Sequence, residues 1–421
     1  MSDKPTAIIF GGLNTCSRAL AQFLVPLDGE PLVKNLRIVD KYSVNPPTTY
    51  LGAEFPQVLK KPNVEYRQAN LTVPATVKSC FDPPAGQDPY TYVFDLSGEI
   101  QWDRPEKVQI STTFQVAQHI GREAAARGVA AYVRIQHPFY ECRERSGKEK
   151  DWAEHDDAKP DGVLGTWWHE SLRALAAIDG LNLVILRTAY VYGPYVDYGL
   201  IISWTITCAV YGYLKQPLKG LWSPGKHPTH TVHVTDVAGA MWACAKWMAE
   251  RGRAKANEEA GEEILPALQG RDGQDVQGIV PAGTKVVAPL FNIEDDSKTT
   301  YLDLINTLVQ FFGTTFEFHS FLTNTMAKFK LEDVVEEINE QHVSTWTQML
   351  GASNPPVTQM HLSQRAYMDP YALRKHSVAF PADKIKALVG YALARPTFGR
   401  ETIAEMVDKF KQEGSWPRVE S

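Results

Sequence analysis

Four apolar residues, Ala7-Ile8-Ile9-Phe10, run directly into Gly11-Gly12-Leu13-Asn14 and then into a helical pattern beginning near Thr15, and a second apolar run ends on Asp40. This spacing predicts a strand, a tight turn, a helix and a second strand, the order that sets a helix N-terminus beneath a phosphate and a carboxylate beside a ribose. It constrains the chain more than any other stretch, because a β-α-β start of this kind leads into a parallel sheet with helices on both faces. Gly11 and Gly12 supply the close turn. Asn14 is the least disruptive substitute for a glycine there, since Asn enters left-handed backbone more readily than most residues, and Ser17 is small enough for the helix to lie near the sheet.

Asp40 bears on the choice of cofactor. A carboxylate accepts ribose hydroxyls but repels a 2′-phosphate, so NAD is expected over NADP; the alternative is a solvent-facing strand end beside Lys41. Asn70, beyond the third strand, is placed to meet the adenine edge, and Ser97 and Gly98 to let a dinucleotide pass over the fourth. Asn, Ser and Gly are equally at home in ordinary turns.

The alternation continues through the first 200 residues, with strands expected at 7–10, 36–40, 64–68, 92–96, 130–135 and 183–187 and helices at about 14–25, 73–80, 107–127 and 165–179. The expected fold is α/β: a Rossmann-like parallel sheet flanked by helices, with a smaller C-terminal substrate or cap region. Residues 1–194 form the nucleotide-binding region, 195–335 a mixed α/β cap with a variable excursion at 251–285, and 336–421 a C-terminal segment packed on the body. Within the cap, 200–222 is apolar and aromatic and reads as a buried or partner-facing helix. Apolar order resumes at 286–291, a last helix covers 401–413, and Trp416-Pro417 turns back onto the body.

Composition narrows the partners. With 43 Lys and Arg against 49 Asp and Glu, and no long basic run, nothing favours nucleic acid. Five scattered cysteines without a C-x-x-C pair argue against structural zinc or a disulfide framework and fit a reducing, cytoplasmic setting. No apolar stretch reaches the roughly 20 residues of a membrane span. The expected partners are a small-molecule metabolite and a second copy of the chain or another protein, and no metal is expected.

Further along, Arg187-Thr188-Ala189-Tyr190-Val191-Tyr192-Gly193-Pro194 and His233-Val234-Thr235-Asp236-Val237-Ala238 join Gly11-Gly12, Asp40, Ala69-Asn70 and Phe94-Asp95-Leu96-Ser97-Gly98. In these segments, and in their order over most of its length, the chain resembles the extended short-chain dehydrogenase/reductase family, specifically the NAD-dependent epimerase/dehydratase group. The resemblance implies a Tyr that transfers a proton, a Lys four residues later that lowers its pKa, and a Ser or Thr that binds the reacting oxygen. The chain departs from that pattern. Ile135, Gln136 or His137 stands where the hydroxyl residue belongs, Val163 or Leu164 in place of the Tyr, and Trp167 or Trp168 in place of the Lys. The two indoles would fill volume otherwise available to a nicotinamide ribose.

Substitute chemistry rests on Tyr140, His137 and Tyr190, the candidate catalytic residues, with Cys142, His169 and Glu170 near them. His169 and Glu170, adjacent on a helix, do not face one another. Asp95 is expected to cap a turn or orient a ligand, Asp236 to cap a helix, and Arg187 to pair with a carboxylate or shape the pocket. The leading expectation is a catalytically degenerate or atypical epimerase/dehydratase-like protein with an NAD-dependent ligand-binding or regulatory role. The alternatives are an NAD-dependent oxidoreductase or epimerase acting on a hydroxylated small metabolite, and a cofactor-free protein-interaction component. The residues leave open whether the chain is an enzyme.

Overall fold

The computed structural model describes residues 4–142, 151–268, 273, 275–321, 323–325 and 331–419. The first half runs β1 (Ala7–Phe10), α1 (Thr15–Leu24), β2 (Leu36–Asp40), α2 (Phe55–Val58), β3 (Val64–Gln68), α3 (Pro74–Cys80), β4 (Tyr92–Asp95), α4 (Glu106–Gln109), α5 (Gln115–Ala126), β5 (Ala131–Gln136), β6 (Tyr140–Glu141), β7 (Lys159–Pro160), α6 (Gly162–Ala176) and β8 (Leu183–Thr188). A π-helical turn, Ile110–Phe114, joins α4 to α5. There follow β9 (Tyr190–Tyr192), α7 (Leu200–Leu214), β10 (Leu218–Gly220), β11 (Thr231–His233), α8 (Val234–Ala260), β12 (Gly261–Glu263), β13 (Val287–Ile293), α9 (Tyr301–Phe311) and β14 (Phe316–Phe318).

Eight strands make one sheet in the order β12-β13-β8-β5-β4-β1-β2-β3. All its pairs are parallel except β12 with β13. The central strands β1, β5 and β8 are buried along their whole length between two helical layers, including the polar Arg134, Gln136, Arg187 and Thr188. Leu20 and Leu24 of α1 and Met241 and Cys244 of α8 fill one face. Val77 of α3, Val116 and Ile120 of α5 and Leu172 and Leu175 of α6 fill the other. Strand order reverses between β1 and β4, which opens a crevice at their C-terminal ends, the usual ligand position in such sheets.

The later segments are tied to this body. The 200–222 stretch contains α7, whose side chains are buried almost throughout. Of the 251–285 stretch, 251–260 continue α8 past a break at Gly252, β12 joins the sheet edge, and Leu268, Val276 and Ile279 lie against Trp167 and Phe114. Residues 269–272 and 274 fall outside the described residues. Helix Arg400–Glu413 is followed by Trp416, which stacks on Phe312 and packs edge-on against Trp346. Asp236 is not the cap of α8: His233 caps it. The buried Asp236 carboxylate instead accepts from the Tyr391 hydroxyl and the Ala394 and Arg395 amides.

Candidate functional site

At the crevice lies a cleft of about 240 Å³ lined by Gly11, Asn14, Asp40, Asn70, Ser97 and Gly98, six of the seven residues singled out for a nucleotide. The seventh, Gly12, lies behind it: a Cβ there would stand 2.3 Å from Ile38 Cγ2. Gly11 has φ +68°, and a Cβ on it would come within 2.7 Å of the Leu96 carbonyl. Left-handed backbone and close approach thus coincide at one residue, leaving glycine as the unstrained choice.

Several polar side chains of the cleft are already engaged with the chain. The Asp40 carboxylate accepts from the amides of Leu13 at 2.9 Å and Lys41 at 2.6 Å, while burial raises its pKa above the usual carboxylate range. Asn14 differs from expectation. Its φ of −73° and ψ of 168° are extended, not left-handed, because it is the N-cap of α1. Its side-chain oxygen accepts from the Ser17 amide at 3.0 Å, and its amide donates to the Leu96 carbonyl at 2.8 Å. Asn70 accepts from the Thr72 amide in a local turn, and Ser97 donates its hydroxyl to Asp95 at 2.6 Å.

Sequence reasoning missed Arg18 and Asp197. The nearly buried Arg18 guanidinium donates to the carbonyls of Leu13, Tyr50 and Tyr195 and pairs with Asp197 at 2.6 Å, and the Thr15 hydroxyl donates to the same carboxylate oxygen. A carboxylate of the chain therefore sits beside the first turn of α1. No local pattern signals a partnership between residues so far apart in the chain.

The two tryptophans that the sequence offers in place of the family's lysine hold structural positions. Trp168 is fully buried, donates its indole N–H to the Glu99 carbonyl at 2.7 Å, and lies under Gly98, whose Cβ would meet its ring at 2.5 Å. Beneath it, Arg134 and Asp95 form a fully buried ion pair at 2.8 Å, with the guanidinium 4.6 Å from the indole centroid. Trp167 turns the other way, onto Phe114 and Glu106. Neither indole lines the cleft, and Trp168 packs edge-on against His137 and Phe139.

The three candidate catalytic residues divide. His137 and Tyr190 line a second cavity of about 100 Å³ beyond the cleft. Tyr140 does not: its hydroxyl donates to His169 Nδ1 at 3.2 Å, and His169 Nε2 donates to the Leu265 carbonyl at 2.7 Å. Burial lowers His137 to about 4, with Arg134 adding to the effect, raises Tyr140 to about 12, and lifts Tyr190 well above the ordinary phenol value. At neutral pH the imidazole is thus neutral and both phenols are protonated. Glu170 accepts from the Ala267 and Leu268 amides, away from His169, and Cys142 is a buried thiol pushed up to about 12. Arg187 pairs with Asn292 and lies over Phe380. Among the described residues no cluster of His, Cys, Asp and Glu can hold a metal ion, and no helix is long and apolar enough to cross a membrane.

No family model matches the sequence, and no curated protein is similar to it by sequence. Solved structures share the fold over nearly the whole chain. The Bordetella bronchiseptica enzyme WbmG, in complex with NAD and UDP, is 14% identical over 97% of this chain and 96% of its own, with a TM-score of 0.58. UDP-glucose 4-epimerase from Thermotoga maritima, with UDP-glucose, is 14% identical over 97% and 99%, with a TM-score of 0.58. UDP-glucuronic acid 4-epimerase from Bacillus cereus, in complex with NAD, is 13% identical over 97% and 99%, with a TM-score of 0.59.

Proposed function

We propose that this chain is an atypical epimerase/dehydratase-like protein that binds NAD in the cleft between β1 and β4 and has lost or replaced the family's proton relay, leaving an NAD-dependent ligand-binding or regulatory role. One observation carries the reading. The residues suited to the adenosine half converge on one cleft, while the helix that should supply Tyr and Lys presents Leu164 and Trp168 to the core. Gly11 and the turn after it fit a pyrophosphate, and Asp40 lines the cleft at the end of β2, where a ribose is held in such folds. When bound, NAD supplies a hydride acceptor. Of the chain's own groups, Tyr140 and Tyr190 hold their protons at neutral pH, because burial outweighs the Arg187 guanidinium beside Tyr140 and the Arg374 guanidinium near Tyr190.

Calorimetric titration with NAD, NADH and NADP tests this reading. Saturable NAD binding weakened about ten-fold or more by Asp40→Ala supports it, an effect of the size expected for a lost charge-assisted hydrogen bond. No binding by any of the three overturns it in favour of a cofactor-free interaction protein. A second reading, an oxidoreductase with substitute chemistry, is favoured by His137 and Tyr190 lining a cavity that adjoins the cleft. It predicts NADH formation in a substrate screen, slowed when the reacting carbon carries deuterium.

A further inference from the structure

The cavity beyond the cleft adjoins it across Asn14, Thr15, Ile100 and Tyr198, which line both. Its remaining walls come from distant parts of the chain: the loop after β5 with His137, Pro138 and Phe139, strand β9 with Tyr190 and Val191, the start of α7 at Gly199 and Leu200, and Tyr371. No Asp, Glu, Lys or Arg lines it among the described residues. The cleft differs: Arg18, Lys41, Asp40, Glu99 and Asp197 all reach its surface.

That contrast selects a ligand. A phosphate or carboxylate moved into an enclosure without a cation loses its hydration and gains nothing in exchange, at several kcal/mol per charge. An apolar group gains about 25 cal/mol for each Å² it buries. Size matters as well. A dry cavity of about 150 Å³ holds a benzene ring, so 100 Å³ takes a short alkyl group or part of a small ring and leaves the remainder at the mouth. The cavity's polar side chains are uncharged, namely Asn14, Thr15, His137, Tyr190, Tyr198 and Tyr371, and the first turn of α7 has no side-chain cap.

We propose that this chamber binds an uncharged, mostly apolar small molecule bearing one hydroxyl or carbonyl oxygen, and that it does not take the charged part of a nucleotide sugar. The role of that molecule as a reaction or regulatory partner of NAD rests on the function proposed above; its recognition by this chamber does not.

Saturation-transfer NMR of the whole protein with cyclopentanone, and separately with UDP-glucose, tests the inference with and without NAD. The expected result is saturable transfer to cyclopentanone, weakened at least five-fold in Val191→Phe, with no displacement by UDP-glucose. Val191 is only half-buried, and a circular dichroism melt of the variant shows whether it folds. Should it fail to fold, Val191→Ile, which adds a single methylene, takes its place. No transfer to cyclopentanone, transfer unchanged in a folded variant, or displacement by UDP-glucose overturns the proposal. The two readings fail separately: NAD binding without cyclopentanone transfer removes this inference alone, and cyclopentanone transfer without NAD binding removes only the proposed cofactor role.

Discussion

Asn14 does at the head of α1 what an incoming phosphate oxygen would do, taking up the Ser17 amide that the helix would otherwise offer. The same side chain ties the turn to the end of β4 through the Leu96 carbonyl. Asn14→Gly frees the amide and keeps the turn open. Glycine is a tolerable cap at a cost of a few tenths of a kcal/mol, and the lost bond to Leu96 adds about 1 kcal/mol. The expected outcome is a small drop in midpoint on urea unfolding together with a several-fold gain in NAD affinity by calorimetry. Weaker binding would instead make the Asn14 side chain a direct contact of the nucleotide.

Helix α8 carries its own test of how an element is built. Gly252 interrupts it with φ 69° and ψ 165°, a conformation that residues with a Cβ hardly enter, and nothing lies within 4 Å of where a Cβ would stand. The cost of Gly252→Ala is therefore conformational alone, and about 1–3 kcal/mol of stability is the expected loss in denaturant melts. A neutral result would mean that the helix can run straight through this point. Elements of the sheet were the legible part of the chain. Buried parallel strands read as largely apolar, β-branched-rich runs, so the strand expected at 130–135 is found at Ala131–Gln136 and that expected at 183–187 at Leu183–Thr188. Helix α6 begins three residues ahead of the expected 165, at Gly162, because apolar periodicity marks the buried face and not the first turn. Side-chain roles were less legible. Asp236 looked like a cap because it opens an alanine-rich helix, and only the fold brings Tyr391, Ala394 and Arg395 to it. Local strand-end and turn patterns were enough to pick out Gly11, Asn14, Asp40, Asn70, Ser97 and Gly98, which line one cleft. The site was opaque where Arg18 meets Asp197 and where Trp168 goes under Gly98, because those contacts follow from how distant segments pack.

Distant segments are sewn together throughout the molecule. Tyr50 in the N-terminal half donates to Glu413 in the last helix, Lys409 pairs with Glu54, and Lys386 pairs with Asp296. Other titratable groups between these segments are held away from water, so stability depends on pH through opposed contributions. His376, buried against Tyr371 and Tyr190, is lowered to about 4, chiefly by burial. The unfolded chain, with an ordinary histidine near 6.5, then binds more protons than the native one between these values. The stability this neutral imidazole confers is complete above about 6.5 and is lost as the pH falls towards 4. Asp295, which accepts from the Thr231 hydroxyl and the Ser297 amide, is raised by burial to about 6. Here the native state binds the extra proton, so stability is greatest below the unfolded value near 4 and falls as the pH rises to 6. Each contribution is of the order of 3 kcal/mol at its limit. Subtracting the pH profile of a variant from that of the parent isolates one group from the rest. In thermal melts between pH 4 and 7, the parent is expected to lose ground against His376→Asn as the medium becomes more acid, and against Asp295→Asn as it becomes less so. A flat difference profile for either variant would mean that the group keeps its unfolded pKa in the native protein.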